Sequence, residues 1–323
     1  MLTPHDKVSR RGNDIIQIVV TRVCDIHTCS NCTQLLPHRV DPQHMSLECA
    51  ELALKSVEGW PGVTAMFGGN PVTHPQFVEL CELWRKYVPN QRQRGLWTNH
   101  LMTDEKGKAA QETFYPHGRF NLNVHESEKA AQMMQRWLPG VKIWGRRPSH
   151  HGMLLGDHKD LGVSEADWVA AREKCDINQK WSSGVYARDV TCEHCDGTGT
   201  HRTEPWSCSF CNSKGTVQRP FTYFCEVAGS IDGVTGENNG LPAEVGWWKR
   251  PISDFDHQIK GCCDKYCVVP LRLKGHTDNE RVYDITPSVV HLTAKPKGPV
   301  TTEVHETVHA TIKETTDYQK LRS

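Results

Sequence analysis

Three cysteines near the N-terminus, Cys24, Cys29 and Cys32, lie in the run Val23-Cys24-Asp25-Ile26-His27-Thr28-Cys29-Ser30-Asn31-Cys32. They directly follow the apolar stretch Ile15-Ile16-Gln17-Ile18-Val19-Val20, which reads as a buried strand. Three thiolates on one loop can hold three irons of a [4Fe–4S] cube and leave the fourth iron open to a substrate or cofactor. A cluster that only carries electrons normally has four cysteines, so the arrangement suits chemistry better than electron storage. At this spacing a zinc site, or three unrelated buried thiols, is the alternative.

The next stretch, Thr64-Ala65-Met66-Phe67-Gly68-Gly69-Asn70-Pro71, reads as a short buried strand ending in a glycine turn. A helix follows, with Phe77, Leu80, Leu83, Trp84 and Val88 at helical spacing. Arg94-Gly95-Leu96-Trp97-Thr98-Asn99-His100 then reads as another strand closing on a polar tip. With these three landmarks in order, the chain resembles the radical S-adenosylmethionine (SAM) superfamily. Members of that family place a three-cysteine cluster loop after the first barrel strand, a Gly-Gly-Glu-Pro turn after the second and often a Thr-Asn-Gly after the third.

Three departures from the family pattern stand out. The cysteine spacing is four then two intervening residues, where three then two is usual. Asn31 precedes the last cysteine, where an aromatic residue commonly lies against the adenine. Asn70 replaces the Glu that helps hold the methionine amino group. An Asn side chain still accepts a hydrogen bond through its carbonyl oxygen but brings no negative charge.

The resemblance implies a cluster on Cys24, Cys29 and Cys32, with SAM bound by Gly68, Gly69, Asn70 and Pro71 and by Asn99 and Asn123 at later strand ends. It also implies the reaction. An electron from a reduced flavodoxin or ferredoxin cleaves SAM to methionine and a 5′-deoxyadenosyl radical, which removes a hydrogen atom from a substrate carbon. The protein would position that carbon and exclude water. Oxidation of a small molecule, or radical modification of a peptide, is the implied outcome.

Along the chain, strand-like and helix-like runs alternate. Helices are expected around Ser46–Glu58, Glu105–Glu112, Glu128–Trp137 and Glu165–Lys174, and strands at Phe120–His125 and Val141–Gly145. Such βα repetition implies an α/β fold with parallel strands and helices outside, curled into a full or partial TIM-like (β/α) barrel. Ligands then lie at the carboxyl ends of the strands, where Cys24, Asn70, Asn99, His125 and Arg146 fall. Near that mouth Arg146, Arg147, His150 and His151 are candidates to engage an anionic substrate.

The other cysteines sort by spacing. Cys49 and Cys81 sit in apolar helical faces and are expected in the core. Cys192-Glu193-His194-Cys195-Asp196-Gly197-Thr198-Gly199 and Cys208-Ser209-Phe210-Cys211-Asn212-Ser213-Lys214-Gly215 form two paired-cysteine turns, the donor set of a closed four-thiolate Zn²⁺ site. The first matches the DnaJ-type Cys-x-x-Cys-x-Gly-x-Gly repeat in full, the second in part. A stabilising clip is the plain reading, with peptide or nucleic-acid docking as the alternative. Beyond this insertion, Cys175, Cys225 (in the strand-like Tyr223-Phe224-Cys225-Glu226-Val227), Cys262, Cys263 and Cys267 resemble a twitch domain, a shortened SPASM domain holding an auxiliary [4Fe–4S] cluster. That resemblance assigns the cluster to Cys175, Cys225, Cys263 and Cys267, with Cys262 as alternate; a second zinc site is the other reading.

The expected organisation is a barrel over 1–174 and a small cysteine-rich auxiliary domain over 175–272, with the zinc knuckle inserted at 190–217. An extension poor in large apolar residues covers 273–323, where Val304, Val308 and Ile312 alone have helical spacing. The chain's 323 residues suffice for one large and one small domain, and its 38 basic residues balance 38 acidic ones, so no global charge argues for nucleic acid or membrane. Fourteen cysteines without a signal-peptide pattern or a membrane-length apolar run point to metals in a reducing cytoplasm. The 18 histidines suggest no shared role. Two further classes stay open: a nucleic-acid-modifying enzyme docking through the knuckle (His201, Arg202 and Lys214 would face the partner), and a catalytically silent iron–sulfur protein.

Overall fold

Strand β1 (Ile15–Thr21) is buried along almost its whole length, as a strand covered on both faces must be. It lies in the middle of an eight-stranded sheet in a computed structural model that describes residues 15–25, 34–36, 43–124, 127–144, 166, 182–200 and 207–267. On one side β1 pairs in parallel with β2 (Val63–Gly68), which continues to β3 (Arg94–Thr98), β4 (Arg119–Asn123) and β5 (Ile143–Trp144), all parallel. On the other side β1 pairs in parallel with β6 (Ser183–Thr191). From β6 the sheet turns antiparallel through β7 (Thr216–Tyr223) to β8 (Leu241–Pro242). The fold is mixed α/β with a mostly parallel sheet, and strands on either side of residue 174 share it.

The crossovers carry α1 (Leu47–Ser56), α2 (Phe77–Tyr87), α3 (Asp104–Phe114) and α4 (Glu128–Trp137). Three of them start on a hydroxyl cap: Ser46 accepts from the Cys49 amide, Thr103 from that of Lys106 and Ser127 from that of Ala130. Helix α2 buries Phe77, Leu80, Cys81 and Trp84, one stripe at 3.6-residue spacing. The Trp84 indole donates to the Thr64 carbonyl at 3.0 Å, tying the helix to β2. Cys49 and Cys81 are in the core as expected, and burial pushes both thiols up to about 12.

β6 and β7 form a long antiparallel hairpin whose last registered pair is Thr191 with Thr216, so the paired-cysteine turns occupy its tip. After β7 the chain departs from expectation. Cys225 lies in no strand; its extended backbone caps helix α5 (Glu226–Thr235), which ends at Gly236 in the left-handed conformation. The strand-like composition of Tyr223–Val227 splits between the end of β7 and the first turn of α5, because the β6–β7 pairing stops after Tyr223. A short helical segment, Asp256–Gln258, runs into the π-helical turn Ile259–Cys263. The buried Gln258 amide joins this turn to the sheet: Oε1 accepts from Phe224 N at 3.1 Å, and Nε2 donates to the carbonyls of Thr222 and Asn239 at 2.9 and 3.0 Å. The expected helix at 165–174 (apart from Ala166) and the 273–323 extension lie outside the described residues. No described helix is long and apolar enough to cross a membrane.

Candidate functional site

Parallel neighbours end on the same side, so the tips of β1, β2 and β3 meet. Backbone hydrogen bonds join the first two: Gly69 N donates to Thr21 O at 3.0 Å and Asn70 N to Val23 O at 2.8 Å. Thr73 Oγ1 donates to Asn70 O and Val23 O at 2.7 and 3.2 Å. The contact is too close for side chains. A Cβ on Gly68 would stand 2.2 Å from Thr21 O, and one on Gly69 would stand 2.2 Å from Val23 O. The glycine pair therefore brings the β2 tip against the residue preceding Cys24.

Into this junction the polar side chains converge. Asn99 Nδ2 lies 3.7 Å from Cys24 Sγ and donates to Asp25 Oδ1 at 3.0 Å. Asn70, fully buried, donates from Nδ2 to the same Asp25 oxygen at 3.0 Å, and its Oδ1 accepts from Thr98 Oγ1. His100 Nδ1 sits 3.1 Å from Asn70 Nδ2, 2.7 Å from Asn99 Oδ1 and 3.4 Å from Asp25 Oδ2. Burial pushes the Asp25 carboxyl up, but the Asn99 hydrogen bond, the His100 ring and the Asn70 hydrogen bond outweigh it and hold the group below its ordinary value. The junction thus couples a cysteine sulfur, a stable carboxylate and backbone groups of a glycine turn.

Of the sequence-derived candidates, Cys24, Gly68, Gly69, Asn70 and Asn99 come together here, and Pro71 is buried at the start of the 3₁₀ turn Pro71–Thr73. Asn123 ends β4, half-buried and one strand further along the sheet. Cys29, Cys32, His125, Arg146, Arg147, His150, His151 and Cys175 lie outside the described residues. Sequence reasoning overlooked Asp25, Thr98 and His100 as site residues. Each directly flanks a residue it had singled out, but side-chain convergence across three loops has no signature along the chain.

The paired-cysteine turns form a second site. Cys192, Cys195, Cys208 and Cys211 are buried and their sulfurs all lie within 4.8 Å of one another, with the Cys192–Cys208 and Cys195–Cys211 pairs at 3.9 and 3.6 Å. Four sulfurs about 2.3 Å from one tetrahedral ion stand roughly 3.8 Å apart, so the spacing fits a single metal ion. Gly215 N donates to Cys211 Sγ at 3.3 Å. Burial pushes the Cys192 thiol up; at Cys195 the hydrogen bonds from Gly199, the neighbouring thiols and Gly197 outweigh burial and pull the thiol down. The two turns are near-copies: Asp196 and Asn212 have φ of 50° and 48°, and Ser213 takes a positive φ of 62° where the first turn has Gly197 at 82°. His194 and Phe210, at matching positions, stack with centroids 3.5 Å apart. A groove of about 570 Å³ beside the knuckle is lined by Lys214 and Arg219 but also by Glu48, Asp189 and Glu193, so its charge is mixed.

The third group is buried: Cys225 at the N-terminus of α5, Cys262 and Cys263 in the π turn packed on it, and Cys267 four residues beyond that turn. Cys267 N donates to Cys262 O at 3.0 Å. Burial, reinforced by Cys267 and Glu237, pushes the Cys262 thiol up to about 12. Among the described residues, only the knuckle brings three or more ligand atoms within 4.8 Å of one another.

No family model matches the chain, and no curated protein matches it. Among solved structures, the crystal structure of BtrN in complex with AdoMet and 2-DOIA is similar at 18% identity with a TM-score of 0.28, covering 35% of this chain and 46% of that one. The chain thus spans less than half the length of that structure, and so slight a likeness carries no weight for fold or function.

Proposed function

We propose that the chain is a radical SAM oxidoreductase in which Cys24, Cys29 and Cys32 hold a [4Fe–4S] cluster and SAM lies against Gly68, Gly69, Asn70 and Pro71. The observation that carries this reading is the convergence of Cys24, the glycine turn and Thr98-Asn99-His100 at the carboxyl ends of three adjacent parallel strands. Landmarks roughly 30 to 75 residues apart in the chain become neighbours. Open α/β sheets bind ligands at such strand ends.

The donor set fits. Cys24 offers a soft sulfur ligand, and a backbone turn without side chains lies beside it. When bound, the cluster and SAM supply a 5′-deoxyadenosyl radical, formed with one electron from a flavodoxin or ferredoxin, that removes a hydrogen atom from a substrate carbon. The chain's own residues set the geometry. The Asn99 amide faces the Cys24 sulfur, where it would orient that ligand towards the cluster. Thr73 fixes the glycine turn against Val23. Asn99 and Asn123, at the ends of β3 and β4, would help hold the cofactor there. Arg146, Arg147 and His150 are proposed to engage a small-molecule or peptide substrate through an anionic group.

The same reading extends to the rest of the molecule: a partial TIM-like barrel followed by a small cysteine-rich auxiliary domain, in the cytoplasm. Cys175, Cys225, Cys263 and Cys267, with Cys262 as alternate, would hold an auxiliary [4Fe–4S] cluster; the burial of the described four supports this. Cys192, Cys195, Cys208 and Cys211 would hold a structural Zn²⁺, supported by the sulfur spacing. The mixed charge beside the knuckle favours a stabilising clip over nucleic-acid docking.

The test is anaerobic reconstitution of the full chain, with iron, sulfide and zinc quantified, then SAM and dithionite added. About eight irons, from two cubes, one zinc, and 5′-deoxyadenosine lost in the Cys24/Cys29/Cys32 triple-alanine variant are expected. Zinc without iron refutes the reading, and clusters without SAM binding leave a catalytically silent iron–sulfur protein.

A further inference from the structure

Among the described residues burial disfavours the charge of three arginines, Arg22, Arg94 and Arg188, and the fold treats them differently. Arg94 commits its guanidinium to three backbone carbonyls, those of Val88, Thr113 and Pro89, at 2.6, 2.9 and 3.0 Å. Arg188 meets the buried Asp232 carboxylate, the Tyr223 hydroxyl and Asn238 Oδ1. Arg22, half-buried just past the end of β1, makes one long contact: Nη2 donates to Ala187 O at 3.3 Å. It forms no ion pair with a described residue, so most of the five N–H donors of its guanidinium are uncommitted.

The chain on either side sets its place. Arg22 N donates to Gln43 O at 2.8 Å, which holds the backbone two residues before Cys24. β1 pairs with β6 in parallel from Ile16–Ser183 to Val19–Tyr186, and the side chain reaches across to Ala187 on the β6 side of the tip. Tyr186, Tyr223 and Arg188 lie near enough to act on its charge. The glycine turn lies on the opposite, β2, side. A partly desolvated guanidinium with free donors, beside a second one whose carboxylate is already engaged, is suited to grip an anion by two parallel hydrogen bonds.

We propose that Arg22 binds an anionic group of the substrate, a carboxylate or a phosphate, on the β6 side of the β1 tip, with the cofactor on the β2 side. The assignment rests on the reading of these strand ends as a radical SAM site. It adds to Arg146, Arg147 and His150 a positive charge held two residues from Cys24. Arg22 selects and orients the substrate; no bond is made or broken at it.

The test is calorimetric titration of the reconstituted full chain at low salt with inorganic phosphate, with acetate and, separately, with SAM. Wild type should bind phosphate or acetate, and whichever binds more tightly tells which anion the substrate carries. Arg22→Gln, which can keep the bond to Ala187 O, should weaken that anion about 10- to 100-fold, as expected for lost charge-assisted hydrogen bonds. Arg22→Lys should recover part of the loss, and SAM affinity should be unchanged in both variants. If Arg22→Gln fails to fold, Arg22→Met serves as the second charge-free variant. Absence of anion binding in wild type, or equal binding in the charge-free variant, overturns the assignment. Loss of SAM affinity in that variant also overturns it, because the guanidinium then serves the cofactor. Failure of wild type to bind SAM, with anion binding still dependent on Arg22, overturns the SAM reading and leaves the anion site standing.

Discussion

At the tips of β1 to β3 each polar side chain takes its orientation from another, with the Asp25 carboxylate at the centre of the set. Its inner members Asn70, Thr98 and Asn99 are buried, and there an unpaired polar group would be costly. The knuckle illustrates the opposite economy, where one backbone conformation is held by a residue that dislikes it. Ser213 adopts φ of 62° where its counterpart Gly197 has 82°, and a left-handed conformation costs an L-residue about 1 kcal/mol. Ser213→Gly should therefore raise the thermal stability of the metal-loaded protein by roughly 0.5–1 kcal/mol. A lower melting temperature in differential scanning calorimetry would show that the Ser213 side chain contributes more than its backbone strain costs.

At the scale of elements, the turn after β2 is as much a packing device as a binding one. His74, just beyond the 3₁₀ turn, is buried; its Nε2 lies 2.9 Å from Met45 O and its Nδ1 accepts from Gln76 N at 3.0 Å. Burial lowers its pKa from 6.5 to about 4, with the Met45 hydrogen bond acting in the opposite sense and the charges of His44 and Lys106 in the same. The native state thus holds His74 neutral while the unfolded chain takes up a proton below about 6.5. The resulting stability is complete above that pH and falls away as pH drops towards about 4, by about 3 kcal/mol at most. Urea unfolding midpoints between pH 7 and 4 should decline less steeply in His74→Gln than in wild type; parallel declines would assign the acid sensitivity to other groups. Near the end of the described chain, the three hydrogen bonds of Gln258 serve the same purpose, fastening the cysteine-bearing π turn to the end of β7.

Across the whole molecule, β6 joins the first half and the cysteine-rich half in one sheet, so the two share a core on either side of β1. A buried ion pair links the outer hairpin to α5: Arg188 of β6 meets Asp232, whose side chain is fully buried and also accepts from the Tyr223 hydroxyl and from Asn239 N and Nδ2. Removing one member of such a pair leaves the other charged and desolvated. Asp232→Ala should destabilise the protein by about 3–5 kcal/mol in urea unfolding, and a loss below about 1 kcal/mol would mean that Arg188 finds another partner or water. Asn239, held by Asp232, lies 4.0 Å from the Cys262 sulfur, so this pair also borders the proposed auxiliary cluster.

Periodicity and spacing in the chain were enough to place the elements from β1 to β5, but not the β6–β7 hairpin or α5. The apolar run 15–20, the helical stripe of Phe77, Leu80 and Trp84, and the Cys-x-x-Cys turns each depend on neighbours within a few residues, and each emerges where expected. Local patterning also marked Gly68, Gly69 and Asn99 as belonging to strand tips. What it could not supply was the orientation of side chains across those tips. Asn70 reads as a weakened cofactor ligand in sequence and becomes the anchor of Asp25 only once β1, β2 and β3 are laid side by side. Cys225 likewise has a strand's composition and a helix cap's conformation, because where β7 ends is decided by its pairing partners and not by its own residues. Short-range patterns are carried by the chain itself; hydrogen bonds between residues 45 or 74 positions apart exist only when the sheet has formed.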